Sequence, residues 1–180
     1  MADATYTIEY EGSLESLYAK LDQLPAMLAS DSPFGHQALR AIGSEVLNSF
    51  ADEFWTKAGG GRDRFGEQWL PLAPSTIKKK GHDAILIESM DLYNSLRPGA
   101  QDNILDTAPG LIRVGTADEK SVFHQVGFMG GWKHDQWVPP RRVLPEAERL
   151  DDDWWEEMLE NAMPAITQAV VSFIGTGAGG

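Results

Sequence analysis

The sequence predicts an α+β domain, a small and mostly antiparallel sheet packed against two or three long helices, with extended loops. Three observations carry that prediction. An apolar stripe at helical spacing runs through Leu39, Ile42, Val46, Phe50 and Phe54. A second runs through Trp155, Met158, Leu159, Ala162, Ile166, Val170 and Phe173. Between them, Ile104–Asp106 and Leu111–Val114 flank Thr107-Ala108-Pro109-Gly110, which is hairpin chemistry. With 180 residues, the chain fits a single domain. We assign it to 1–174, followed by a flexible, glycine-rich tail over 175–180.

The elements follow in order. Tyr6, Ile8 and Tyr10 alternate with Thr5, Thr7 and Glu9, the period of a half-buried strand. Leu14, Leu17, Leu21, Leu24 and Leu28 then form a narrow helical seam, capped by Ser13 and interrupted by Pro25. Pro33 opens the next helix, and Gly59-Gly60-Gly61 stops it. Residues 62–81 are basic and turn-rich, with Pro71 and Pro74 arguing for an irregular surface segment and Ser75 as cap of a short helix into the lysines. A short helix is expected around Asp91–Leu96, capped by Ser89 or Asp91, and another over Asp118–Val126. Gly127–Pro140 reads as a loop. Asp151-Asp152-Asp153 suits a helix N-terminus, where negative charge is favoured, and Pro164 should kink the helix that follows.

Composition narrows the function. Fifteen basic residues against 27 acidic ones give −12, the wrong sign for gripping nucleic acid through its phosphates. No apolar run reaches the ~18 residues that suggest a bilayer span, and no basic-then-apolar start marks a secretory signal. Cysteine is absent, which removes disulfides and thiolate chemistry. The expectation is an acidic globular protein of the cytoplasm without a membrane partner.

The residues offer little catalytic chemistry. His124 and His134 with Asp135, joined by Asp91, are the one arrangement that a metal-dependent hydrolase would use. Their spacing fits no helical ligand pair, so ordinary structural or surface histidines are the favoured reading. The three aspartates read as a helix start rather than a cation site. Gly59–Gly61 lacks the Lys-Ser/Thr ending of a phosphate loop. Ser44, Ser75, Ser89 and Ser95 lie in no nucleophile elbow. We therefore expect no catalytic or metal site and no cofactor. Trp69, Trp132 and Trp137 fall in turn-rich segments, where tryptophan either plugs the core or anchors a protein interface. Val138-Pro139-Pro140 forces an extended strut, which presents Arg141 and Arg142 to carboxylates.

Five blocks in order resemble a known family. They are Gly66-Glu67-Gln68-Trp69-Leu70-Pro71-Leu72 with Thr76, Ile85-Leu86-Ile87-Glu88-Ser89-Met90-Asp91-Leu92 with Ser95, Val114-Gly115-Thr116, His124-Gln125-Val126-Gly127, and Pro139-Pro140-Arg141 with Leu144. Together they resemble the virion morphogenesis and tail completion proteins of Mu-like and P2-like tailed phages, over about residues 36–145. The chain departs from that pattern at Met90, where the family carries glycine. It also departs at Lys120-Ser121, in place of Tyr-Ala, and at Arg142-Val143, in place of Pro-Phe.

The resemblance implies a non-enzymatic structural protein at the neck or head-proximal end of a tail. Copies of the chain would close into a ring by head-to-tail contacts, a hexamer by family precedent, between the tail tube and a connector protein. Genomic DNA would pass through the acidic lumen without specific binding. The location would be the virion, after assembly in the host cytoplasm. The interface candidates are Arg62, Arg64, Trp69, Lys78, Lys79, Lys80, Trp132, Trp137, Arg141 and Arg142. An assembly chaperone absent from the finished particle is the remaining alternative.

Overall fold

The computed structural model describes residue 26, residues 31–130 and residues 136–176. The expected N-terminal strand and leucine seam lie outside the described residues, as do Trp132, His134 and Asp135. The described part is mixed helix and strand, broadly α+β. It has five α-helices and two separate two-stranded antiparallel sheets. A single small sheet was expected, so this is a correction.

Helix α1 (Pro33–Ala58) is the spine. The Ser32 hydroxyl accepts a hydrogen bond from the Gly35 amide at 3.0 Å and Pro33 takes the first turn, where its missing N–H costs nothing. Gly59 caps the far end. Val46, Phe50 and Phe54 of the expected stripe are buried, while Leu39 and Ile42 are half-buried. Strands β1 (Asn103–Ala108) and β2 (Leu111–Thr116) pair antiparallel, with Ala108 opposite Leu111. The connection is thus only Pro109-Gly110, and Gly110 takes the positive φ (66°) that such a turn favours. The hairpin lies against α1 at Gly43. A Cβ there would crowd Leu105 Cδ1 and stand 2.9 Å from Ile112 Cγ2, so glycine eases the close approach.

Helix α5 (Asp152–Thr176) runs along α1. Asp151 caps it, accepting from the Trp154 amide at 2.9 Å. Its inner row is Trp154, Met158, Ala162 and Ala169. The expected row began at Trp155 and included Leu159, but those two side chains face solvent instead. Two adjacent tryptophans cannot both face inward on a helix, and Trp154 is the one that stacks on Phe50 at 6.0 Å. The helix continues through Pro164 and reaches Thr176, two residues into the expected tail.

Smaller elements correct further expectations. Helix α2 (Pro74–Lys80) has Ala73 as its N-cap, so Ser75 lies inside its first turn. Helix α3 (Asp91–Asn94) starts from Met90 with no side-chain cap, not from Ser89 or Asp91. Helix α4 (Glu119–Val126) starts as expected, with the Asp118 side chain accepting from the Lys120 amide. The loop expected after it contains a ribbon, β3 (Phe128–Gly130) paired with β4 (Gln136–Val138).

Candidate interaction surface

Two sites converge on the backbone of residues 141–144. The first is the buried Lys57. It extends the α1 stripe one turn past Phe54, at a position where an apolar residue is expected. Its ammonium lies 3.2 Å from the Asp63 carboxylate and 4.0 Å from that of Glu67. It also donates to the Arg142 carbonyl at 2.9 Å and sits 5.3 Å from the centre of the Trp69 ring. The Asp63 carboxylate is turned inward and accepts from the Phe65 and Glu67 amides at 3.0 and 2.8 Å. Such a pair persists in a core only when its hydrogen bonds are satisfied, as they are here.

Trp69 belongs to the same cluster. It is 1% exposed, meets Phe54 edge to face at 5.1 Å and donates its indole N–H to the Arg142 carbonyl at 3.1 Å. Of the two readings open for this tryptophan, the core plug holds, and it leaves the interface list. Its block is irregular and exposed at most positions, as expected, but it turns Asp63 and Trp69 into the core.

The second site is a clamp made by Gln125. Its amide oxygen accepts from the Val143 and Leu144 amides at 3.0 and 3.1 Å, and its amide nitrogen donates to the Leu144 carbonyl at 2.8 Å. A carboxamide carries both donor and acceptor, so it can stand in for a neighbouring strand. The Arg141 amide donates to the His124 carbonyl at 2.7 Å beside it. These bonds join the α4–β3–β4 unit to the body.

The unit's other side is apolar and open. Val122, Phe123 and Val126 are 62%, 56% and 63% exposed. Met129 and Trp137, also exposed, sit opposite one another in the ribbon and so leave it on the same side. Trp137 lies over Gly127, where a Cβ would come within 2.7 Å of its ring. The Phe123 and Phe128 rings meet at 6.1 Å. Burial pushes the His124 imidazole below its ordinary range, and the Arg141 charge adds to this. Burial likewise lowers Arg141. The His124 Nδ1 and Arg141 Nε atoms are buried without a hydrogen-bond partner among the described residues.

The other expected site residues are dispersed. Arg62 donates to the Gly66 carbonyl, and Arg64 pairs with Glu157 of α5 at 2.6 Å. Lys78 and Lys79 are exposed on α2, and Lys80 donates to the Ala84 carbonyl. Arg142 pairs with Glu146 at 3.0 Å, and Arg141 reaches the Leu70 carbonyl at 3.5 Å. Both strut arginines thus meet oxygens of their own chain. Asp91, Asp102 and Asp118 line an open polar cleft of ≈670 Å³. Two of its acids are engaged, with Asp118 capping α4 and Asp91 held below the usual carboxylate range by Ser89 and then Lys120. Among the described residues, no group of three or more histidines and carboxylates is arranged to hold a metal. No described helix is long and apolar enough to cross a membrane.

Lys57 and Gln125 are the residues organising these two sites that sequence reasoning missed. A lysine on an apolar stripe was the signal for the first. The second gave none beyond its place in the His124–Gly127 block. No protein-family model matches this chain, no curated protein matches it, and no solved structure matches it.

Proposed function

We propose that this chain is a non-enzymatic structural subunit of a tailed-phage virion. It acts at the neck or the head-proximal end of the tail, as an oligomeric ring between the tail tube and a connector protein. The observation that carries the reading is the α4–β3–β4 unit. It is clamped to the body by Gln125 and carries large apolar side chains in solvent. Exposed apolar clusters of this kind mark protein contacts. The residue pattern behind the resemblance lends further support. Met90 has a φ of 63° at the position where the family pattern has glycine, the residue that adopts this conformation without strain. Gln125 of the His-Gln-x-Gly block makes the clamp, and Trp69 of the tryptophan block fills the core. The net charge of −12 suits a channel wall that repels phosphates and lets DNA pass.

Mass spectrometry of purified particles, separated into head and tail fractions, tests this reading. Peptides of this chain at structural abundance in the tail or joined-particle fraction are the expected result. Their presence in the lysate and absence from particles would assign the chain to assembly assistance and overturn the proposal.

A further inference from the structure

The outer shoulder of α5 is unpartnered among the described residues. Trp155, Leu159 and Met163 recur every four residues beside the buried row, and they are 39%, 43% and 50% exposed. Asp152, Glu156 and Glu160 edge that shoulder, are exposed, and form no ion pair among the described residues. An antiparallel pairing of α5 with α5 of a second copy would bring the two acidic rows together, and like charges across an interface repel. The shoulder needs a partner that is both apolar and basic.

The chain itself carries exposed groups of both kinds in and just before α2. Lys78 and Lys79 are exposed on α2 and form no ion pair among the described residues. Leu70, on the extended run that leads into α2, is 59% exposed. We infer that the acidic, apolar shoulder of α5 docks on the α2 face of a second copy. Glu156 and Glu160 meet Lys78 and Lys79, and Trp155 and Leu159 supply the apolar contact. The two surfaces differ, so the contact is head-to-tail and repeats from copy to copy, the geometry that closes a ring. The apolar residues give the contact its strength. The charges give it register and make it sensitive to salt. This contact rests on the assembling-subunit reading above and specifies where its copies meet.

The absence of cysteine makes the test clean. Two variants are prepared separately, Lys79→Cys and Glu160→Cys, both at exposed positions. Circular dichroism checks their folding, and sedimentation velocity checks their assembly. Under mild oxidation the mixture is expected to form a disulfide dimer containing one of each, while neither variant alone cross-links. Raised salt is expected to reduce the yield. Four results overturn the inference: a wild-type chain that stays monomeric, an assembled mixture that does not cross-link, Glu160→Cys cross-linking to itself, or an internal cross-link in a Leu17→Cys/Glu160→Cys chain. The last would assign the shoulder to the chain's own leucine seam. The cross-link reads the contact and particle composition reads the location, so the two proposals fail separately.

Discussion

The body around Lys57 and the α4–β3–β4 unit grip the same stretch of backbone from opposite needs. In the body, α1, the Trp69 block and the Arg142 carbonyl close around a buried ammonium within a cluster that includes Phe54, Trp69, Leu92, Leu96 and Val143. In the unit, α4 has no fully buried residue, and the Gln125 side chain does the joining through three hydrogen bonds. The first region is held by burial and charge, and damage there should unfold everything. The second is held by polar bonds and leaves its apolar side chains in water, so damage there should stay local or go unnoticed until a partner is present.

The sharpest way to break this contrast is Lys57→Met. It leaves the Asp63 carboxylate buried without its cation, and the loss should reach roughly 3–5 kcal/mol. Denaturant unfolding would report it as a lower midpoint with an unchanged slope. Gln125→Ala strands two amides and a carbonyl, at a cost of about 1–3 kcal/mol. Hydrogen exchange should quicken at Val143, Leu144 and the β3–β4 ribbon while the α1 core stays protected. Equal acceleration everywhere would erase the distinction.

Acid probes the joint between the regions. The His124 imidazole sits below its ordinary range, first through burial and then through Arg141. The unfolded chain therefore takes up that proton more readily than the folded one. Stability is full above the ordinary histidine pKa of about 6.5 and declines as pH falls through it. A His124→Phe variant should lose this part of the pH dependence in thermal melts.

Val122→Ser with Val126→Ser should change stability by no more than about 0.5 kcal/mol. It should nevertheless impair joining of heads to tails, as read by complementation of a deletion. The gentlest test is Met90→Gly. It relieves a left-handed conformation that costs a non-glycine residue roughly 1–2 kcal/mol and gives part of that back as unfolded-chain entropy, so a gain of about 0.5–1 kcal/mol is expected.

Periodicity made the long elements legible. The α1 stripe, its proline start and glycine stop, the hairpin around Pro109-Gly110 and the helix near Asp118–Val126 all follow from local spacing. Legibility ended where a choice depended on distant partners. Trp154 turns inward because Phe50 and the Ser49 hydroxyl lie across from it, a fact absent from the α5 sequence. Lys57 is buried because Asp63 folds back beneath it. Gln125 matters only once the proline strut brings residues 143–144 alongside. The β3–β4 ribbon is too short for alternation to reveal. Exposure of Trp137 and burial of Trp69 likewise depended on tertiary context, since both sit in turn-rich sequence.

Electron microscopy of particles made without this chain tests its proposed role most directly. Filled heads and finished tails that accumulate unjoined, with joining restored by supplying the wild-type chain, are the predicted result. Intact, infectious particles of normal neck structure in its absence would contradict the account.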